Sequence, residues 1–396
     1  MKLAKRITNT SPKSFGMYEM ASRLDGDTTD LIHLEVGLPH ADTPLPIKQA
    51  AADSLMRGDV HYSDMRGLPA LREVLADKLR RQNRLDVGSN DVLVTNGLTH
   101  GSFAAFFALL DEGDEVILLS PYYPQHIGKI ELAGARPVIV PLDRENGFAI
   151  DARTIAAAIT PRTRMLVLVN PANPTGRVYR RDELEAVAKL AIAHDLVVVS
   201  DEVYEDITYD GAQHISIASL PDMQARTVTL FAFTKSYAMD GWRIGYLTAP
   251  SWLMPGIVKI TANDVTHVNT FIQAGALEAI ASQGAALRDM IAQDDIKRRI
   301  MLERLNAMPN VRCDRVEGTI YAFADVRATG VPSQQLAEQI LREARVVVEA
   351  GSFYGGEGEG FLRLCFGSAS RDQVVQAMDR LHAFFERLAH RTATNA

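Results

Sequence analysis

The chain contains little cysteine and no long apolar run. Its 396 residues include two cysteines, Cys313 and Cys365, which are too few for a disulfide framework and favour a reducing, cytoplasmic location. The longest apolar run, 103–110, is far shorter than the roughly 20 residues that a membrane-spanning helix needs. No apolar segment follows the basic residues at the start, so we expect no signal peptide. The composition predicts a soluble intracellular globular protein.

The chain also lacks an excess of positive charge. Lysine and arginine number 42 against 49 acidic residues, which gives a net charge of −7 with both signs interspersed. This balance argues against a nucleic-acid or anionic membrane partner. The sequence contains no His-Glu-x-x-His, no Cys-x-x-Cys and no Gly-Lys-Ser/Thr segment, so we expect neither a metal site nor a nucleotide phosphate loop of that kind.

Short apolar runs alternate with helical patterns through the middle of the chain. The runs are apolar at nearly every position, as is typical of strands buried on both faces. They lie at 91–95, 115–119, 137–140, 165–169, 196–200 and 227–231. Apolar residues at helical spacing, as in 182–194, separate them. This alternation predicts an α/β fold with a mostly parallel central sheet covered by helices.

The last third of the chain changes character and predicts a second, smaller α+β domain. Strand candidates at 321–324, 346–348 and 361–364 are interspersed with helical patterns at 285–308, 333–345 and 371–390. The first 40 or so residues show no obvious sheet element, and we expect them to pack on the smaller domain or on a partner subunit. We place a large cofactor-binding domain at 45–285 and the small domain at 1–44 plus 286–396.

Polar residues follow several of the predicted strands, where ligands bind in α/β sheets. Segment 170–176 contains two Asn-Pro pairs, which make a stiff loop that holds Asn173 outside the sheet. Asp201 ends the next strand, where desolvation makes its charge costly unless a cation lies near. Lys235 follows the strand after that, and partial desolvation would lower its pKa and make it nucleophilic toward carbonyl carbon.

Each of these features has an ordinary structural alternative when it is taken alone. An Asn-Gly pair before a helix, as at 96–101, is usually a turn and cap. Two tyrosines after a strand, as at 122–123, usually pack beneath a loop. Asp201 could be a helix N-cap, and Arg243 could belong to a structural ion pair.

In their order along the chain, these residues resemble class I pyridoxal-5′-phosphate aminotransferases. The resemblance covers nearly the whole sequence and is strongest at 170–176, 201–204 and 235–245. It implies the aspartate-aminotransferase type of fold (fold type I), pyridoxal 5′-phosphate as cofactor, and a homodimer whose active sites lie at the subunit interface. It also implies a ping-pong transfer of an amino group between an L-amino acid and a 2-oxo acid through an imine of Lys235.

The resemblance implies a role for each residue of the motifs. Lys235 would bind the cofactor covalently and move the substrate Cα proton, and Asp201 would pair with the pyridine nitrogen. Arg363 would bind the substrate α-carboxylate by a bidentate pair. The implied cofactor contacts are Gly97, Leu98, Thr99, Arg243 and Thr234 for the phosphate, Tyr123, Tyr204 and Asn173 for the ring, and Tyr62 for the phosphate in the partner subunit. Asn173 and Gly37 would assist Arg363 in substrate binding.

The chain departs from the family's pattern at a few positions. Ala232 stands where a hydroxyl residue is common, and Glu349 stands where proline is often found. Leu98 is apolar at a position where bacterial aspartate-type members often have a cation. Because an unpaired carboxylate in the pocket would be costly, Leu98 argues against aspartate as the preferred donor.

Other activities remain possible from the sequence. A β-lyase or an amino-acid oxidase would use the same cofactor with a different fate for the substrate carbanion, and a non-catalytic cofactor-binding module is a third alternative. The sequence also leaves open the roles of three histidines that should border the pocket, His40, His100 and His126.

Overall fold

The computed structural model describes residues 1–11, 16–24, 28–282 and 284–394. The strands are β1 (Ile32–His33), β2 (Val92–Thr95), β3 (Glu115–Ser120), β4 (Arg136–Pro141), β5 (Thr163–Val169), β6 (Val197–Asp201), β7 (Thr227–Ala232), β8 (Gly245–Thr248), β9 (Arg312–Cys313), β10 (Tyr321–Asp325), β11 (Val346–Val347), β12 (Glu349–Ala350) and β13 (Phe361–Cys365). The α-helices are α1 (Lys5–Thr8), α2 (Met17–Ser22), α3 (Leu45–Arg57), α4 (Pro69–Lys78), α5 (Gly97–Leu109), α6 (Gln125–Leu132), α7 (Ala152–Ala158), α8 (Arg181–Ala193), α9 (Met254–Asp264), α10 (Thr270–Ala281), α11 (Ala285–Asn306), α12 (Ser333–Glu343) and α13 (Arg371–Thr394).

A seven-stranded sheet forms the centre of the molecule, in the order β2-β8-β7-β6-β5-β3-β4. β8 runs antiparallel to both of its neighbours, while the other neighbouring pairs are parallel. Every residue of β2, β3 and β8 is buried, which explains why the sequence of such strands is apolar at nearly every position. The predicted α/β fold with a mostly parallel sheet is confirmed.

Helices cover this sheet with the faces that their apolar spacing predicts. α8 buries Leu184, Val187, Ala188 and Ala191, which recur at helical spacing along one side. α5 is more uniformly apolar because it packs between the sheet strands β7 and β8 and the outer helix α9. Connections between parallel strands therefore bury the sheet on both sides, as βαβ units require.

A four-stranded antiparallel sheet of order β12-β13-β10-β9 lies in the C-terminal part of the chain. Its register pairs Glu349 with Arg363 and Phe323 with Arg363, so Arg363 occupies the central position of the sheet. α11, α12 and α13 pack against these strands or against one another. The predicted strand candidates at 321–324 and 361–364 are confirmed as β10 and β13.

The expectation that the first 40 residues contain no sheet element is wrong. β1 pairs in parallel with β11, and it was missed because two residues are too short to show a pattern. Met17, Ala21 and Leu34 belong to the same buried apolar cluster as residues of β10, β13 and α13. The beginning of the chain thus packs largely on the C-terminal sheet. No helix among the described residues is long and apolar enough to cross a membrane.

Candidate active site

The carboxyl ends of three neighbouring parallel strands bring the main polar residues together. Asn173 follows β5, Asp201 is the last residue of β6, and Lys235 lies three residues after β7. Because β5, β6 and β7 run in the same direction, these ends meet at one edge of the sheet. β13 of the C-terminal sheet brings Arg363 to the same place, where it contacts Asn173. The site therefore lies between the two sheets.

Lys235 extends its amine toward the segment that follows β1. Its Nζ donates a hydrogen bond to the carbonyl oxygen of Gly37. Burial lowers the pKa of Lys235 to about 8, and the positive charges of Arg363 and Arg243 act in the same direction. About a tenth of this amine is therefore uncharged at pH 7, and the uncharged form is the one that attacks a carbonyl carbon.

Asp201 is a buried carboxylate next to a buried histidine. Its side chain is largely removed from water, and its Oδ1 accepts a hydrogen bond of 3.2 Å from the backbone N–H of Val203. His126 Nε2 lies 3.6 Å from Asp201 Oδ2, and neither nitrogen of the imidazole has a hydrogen-bond partner among the described residues. Burial lowers the pKa of His126, which keeps the ring neutral. The carboxylate of Asp201 can therefore accept a further hydrogen bond from a cation or an N–H group.

Tyr123 lies beside the same histidine. Its ring packs edge to face against His126 with the ring centres 5.4 Å apart. Burial raises the pKa of Tyr123, and the neighbouring charges that act on it include Asp201, Arg363 and Arg243. Tyr123 thus lies among the groups predicted from the sequence, and it presents an aromatic ring to the site.

Arg363 forms a buried cationic group opposite the lysine. It is 6% exposed, its Nη1 donates to Asn173 Oδ1 at 3.3 Å, and its Nη2 donates to the carbonyl oxygen of Glu35. Its Nε has no hydrogen-bond partner in the part of the chain that the structure describes. The guanidinium lies 4.2 Å from the ring centre of Tyr321 and 5.0 Å from that of Tyr354. These contacts fix its plane and leave donor capacity for a carboxylate.

The start of α5 forms a cradle that is suited to an anion. Gly97 has a φ of +77°, and a Cβ at this position would come within 2.6 Å of Arg243 Nη2. Arg243 is held there by a 2.8 Å hydrogen bond from its Nη1 to the carbonyl oxygen of Asp240. The first N–H groups of a helix have no partner inside the helix and point at such a position. Leu98 and Thr99 complete this first turn.

Two residues of the predicted set lie apart from these contacts. Tyr62 is 87% exposed, and its ring packs edge to face on His267 at 5.0 Å, so its side chain is on the surface. Thr234 is half-buried beside Lys235. The neighbouring hydroxyl of Ser236 is turned to Asp206, to which it donates at 2.8 Å.

Sequence reasoning missed two residues that contact the predicted set. Tyr321 places its hydroxyl 2.7 Å from the hydroxyl of Tyr204, and Glu35 supplies the carbonyl that Arg363 bonds. Tyr321 carried only the signal of a strand residue, and the role of Glu35 comes from its backbone. His126 was named in advance, but its pairing with Asp201 had no sequence signal beyond its position three residues after Tyr123.

The other two histidines differ in their environments. His100 is buried, and its Nδ1 accepts a 3.1 Å hydrogen bond from the backbone N–H of Asn96, which stabilises the turn into α5. His40 is exposed, and its backbone N–H donates to Gly367. His100 therefore supports the anion cradle indirectly.

A second polar cluster begins at the residue that follows Asp201 in the chain. Glu202, Glu205 and His214 bring their ligand atoms within 4.8 Å of one another. Lys78 and Asn83 both donate to Glu205, and His214 Nε2 lies 2.9 Å from Glu202. Lys78 pairs with Glu205 and His214 pairs with Glu202, so this cluster is explained as a buried network of paired groups.

Comparison with known proteins agrees with this geometry. Residues 29–381 match the family model for aminotransferase class I and II. An aspartate aminotransferase of Pyrococcus abyssi is 38% identical over 387 residues, which is 96% of this chain and 97% of that protein. An arginine–pyruvate transaminase of Pseudomonas aeruginosa is 39% identical over 85% of each chain. The Thermus thermophilus aspartate aminotransferase structure with maleate superimposes with a TM-score of 0.91 at 34% identity, covering 97% of this chain and 99% of that one.

The chain therefore belongs to the class I and II aminotransferase family, and it is a pyridoxal-phosphate-dependent aminotransferase of fold type I. The residues present are chemically suited to that cofactor. The anion cradle at Gly97 and Arg243 matches a phosphate group, and the amine of Lys235 matches an aldehyde. The buried carboxylate of Asp201 matches a protonated ring nitrogen.

Proposed function

We propose that this enzyme moves an amino group from an L-amino acid to a 2-oxo acid in two half-reactions, with each catalytic group supplied by the residues described above. The observation that carries the proposal is that the low-pKa amine of Lys235 and the buried guanidinium of Arg363 meet at the segment that follows β1, where Lys235 donates to the carbonyl oxygen of Gly37 and Arg363 donates to that of Glu35. Pyridoxal phosphate, when bound, supplies an aldehyde and an electron-accepting ring.

We further propose that the residues divide the work as follows. Lys235 anchors the cofactor and then takes the Cα proton of the substrate onto its Nζ and returns it. Asp201 holds a proton on the ring nitrogen, and the neutral ring of His126 packs beside the Asp201 carboxylate, 3.6 Å from its Oδ2. Tyr204 and Asn173 donate to the ring oxygen, and Tyr123 packs on the ring face.

The substrate would be held by its α-carboxylate. Arg363 is buried, so a bidentate pair with a carboxylate would be strong and would fix the Cα–H bond near Lys235. The side chain of the donor is less constrained. Leu98, half-buried at the start of α5, offers no charge to a distal carboxylate, so we infer that donors with an uncharged or cationic side chain are favoured over aspartate.

We propose a homodimer in which Tyr62 completes the partner's site. Support comes from three large apolar side chains of segment 45–62 that are exposed: Leu45 is 70% exposed, Met56 85% and Tyr62 87%. Tyr62 also borders a cleft of about 300 Å³ together with His267 and Phe271. A subunit contact would bury such side chains. We also propose a cytoplasmic location, which fits the free, buried Cys313 and Cys365, and a division into the domains 45–285 and 1–44 plus 286–396.

A donor panel with a spectroscopic readout tests the proposed reaction. The purified holoenzyme is mixed with single amino acids, which should convert the bound cofactor to its amine form and change its absorbance. Addition of 2-oxoglutarate, pyruvate or another 2-oxo acid should reverse the change, and the products are identified by mass spectrometry. Aspartate should be a poorer donor than at least one amino acid with an uncharged or cationic side chain.

Each outcome of the panel has a definite meaning. If no amino acid changes the spectrum, transamination is not the activity. Release of ammonia or peroxide without an acceptor acid would instead indicate a β-lyase or an oxidase. Sedimentation of the holoenzyme as a monomer at working concentration, with full activity, would refute the shared site.

A further inference from the structure

Tyr321 touches three parts of the site at once. Its hydroxyl lies 2.7 Å from that of Tyr204, and the two rings meet edge to face with centres 5.8 Å apart. Its ring faces the guanidinium of Arg363. A Cβ built on Gly37 would overlap the Tyr321 hydroxyl, so the absence of a side chain at Gly37 makes room for this phenol. Tyr321 therefore contacts Tyr204, which is a proposed cofactor ligand, and Arg363, the proposed clamp for the substrate carboxylate (the carboxylate clamp). It also contacts the segment at Gly37 that binds Lys235.

Either hydroxyl of the pair can be the donor, and the direction decides where the second hydrogen can point. Burial raises the pKa of Tyr204 and raises that of Tyr321 to about 12, so both phenols keep their protons at neutral pH. Two hydroxyl groups hold two hydrogens, and one hydrogen suffices for the bond between them. If Tyr321 donates, the hydrogen of Tyr204 is free to point toward the ligand side of the site.

We propose that Tyr321 is a positioning residue that donates to the Tyr204 hydroxyl, directs the Tyr204 hydrogen onto the ring oxygen of the bound cofactor, and stabilises Arg363 with its ring. This inference rests on the proposed role of Tyr204. A hydroxyl that accepts one hydrogen bond becomes a better donor of the next, so Tyr321 strengthens the bond that Tyr204 makes. The carboxylate clamp and the ring oxygen are then held by one side chain of β10.

The pH titration of the chromophore measures this effect directly in the holoenzyme. A hydrogen bond to the ring oxygen stabilises its negative charge and so lowers the pH at which the visible band changes. Tyr204→Phe should raise this midpoint by about one pH unit, and Tyr321→Phe should raise it by about half a unit, because it only weakens the bond. The double variant should match Tyr204→Phe alone, since Tyr321 acts through Tyr204.

Tyr354 provides the matched control. It is also buried, its ring also faces Arg363, and its hydroxyl has no hydrogen-bond partner among the described residues. Tyr354→Phe should therefore leave the midpoint unchanged. Circular dichroism and cofactor content establish that each variant is folded and loaded. The double variant removes both hydroxyl groups of the pair, so it leaves neither one buried without a partner. Its midpoint can therefore be compared with that of Tyr204→Phe even if Tyr321→Phe alone folds poorly.

Two results would overturn the inference. One is an unchanged midpoint in Tyr321→Phe, and the other is a further shift of half a unit when Tyr321→Phe is added to Tyr204→Phe. Failure of the proposed function is a different observation. In that case the wild-type protein would show no chromophore bound to Lys235, and there would be no titration to compare.

Discussion

The amine of Lys235 donates a hydrogen bond to the carbonyl oxygen of Gly37, so a residue at the end of a strand of the central sheet is held by the segment that follows β1. That segment is attached through β1 to β11 and packs with the C-terminal sheet. The reactive amine is therefore positioned by both sheets. Any movement of one sheet relative to the other changes the environment of Lys235, and with it the properties of the amine.

The first prediction concerns the pH at which Lys235 reacts. Its pKa is lowered to about 8 by burial, so the nucleophilic free amine should form as the pH rises through about 8 and not through the ordinary 10.5. The rate at which apoenzyme binds pyridoxal phosphate covalently should rise over that range and then level off. Stopped-flow absorbance between pH 6.5 and 10 measures it. A rate that keeps rising up to pH 10 would contradict the lowered pKa.

The second prediction is the effect of Lys235→Ala. Turnover should be abolished, because the variant lacks the amine that we propose anchors the cofactor and carries the Cα proton. The fold should remain, since the side chain makes one hydrogen bond to a backbone carbonyl. Borohydride reduction followed by mass spectrometry should find no cofactor attached. Lys259→Ala, on the exposed side of α9, is the control and should keep both activity and attachment.

The third prediction concerns Asp201. Asp201→Ala should reduce turnover roughly a thousandfold or more, because the ring nitrogen loses the buried carboxylate that keeps its proton. Asp201→Glu keeps the charge and should retain more activity than the alanine variant. Single-turnover measurements with saturating amino acid separate this effect from weaker substrate binding. Near-wild-type turnover of Asp201→Ala would show that the carboxylate has a structural role only.

The fourth prediction tests Arg363 by a change that keeps its charge. Lysine is a point charge without the planar fork, so Arg363→Lys should lose both the bond to Asn173 and a bidentate pair with substrate. The KM for amino acids should rise by roughly 10–100-fold, and kcat should change less. Arg342→Lys, at an exposed position of α12, is the control. An equal loss in both variants would mean that the effect is not specific to the site.

The central sheet could be predicted from the sequence because its strands are buried on both faces. β3 and β6 consist mainly of consecutive apolar residues. Each can therefore be recognised from its own sequence, without knowledge of the strand that pairs with it. The start of β8 was indicated by the glycines that bound 241–245. β1 was not predicted, because a strand of two residues is too short to show an apolar pattern.

The site could be predicted where its residues follow strand ends, and not where two distant segments meet. Asn173, Asp201 and Lys235 stand at the end of a parallel strand or within four residues of it, so one topological rule brings them together. Tyr204 and Tyr321 are 117 residues apart, and their contact depends on how the two sheets pack. No local pattern encodes such a contact.

The sequence also did not reveal the environment of Glu349. It is 3% exposed, it lies in register with Arg363 on the neighbouring strand, and its carboxylate accepts hydrogen bonds from the backbone N–H groups of Met17 and Ala350. Burial raises its pKa to about 7, although Arg363 opposes the shift and Glu35 adds to it. A carboxyl group with a pKa raised to about 7 therefore joins the N-terminal helix α2 to β12, which pairs with the strand that contains Arg363.

The fifth prediction follows from the direction of that shift. The folded protein prefers the protonated form of Glu349, so the stability that this preference contributes is fully present below pH 4.5 and is lost as the pH rises through about 7. Glu349→Gln cannot ionise. Its free energy of unfolding relative to wild type should therefore increase between pH 5 and pH 8, by up to about 3 kcal/mol. Urea unfolding at a series of pH values measures the difference, and its pH dependence is independent of any constant cost of the substitution. Glu303→Gln, at an exposed position of α11, removes no buried carboxyl and is the control. A difference between Glu349→Gln and wild type that stays constant from pH 5 to pH 8 would show that Glu349 is ionised throughout, held by Arg363 across the strand pair.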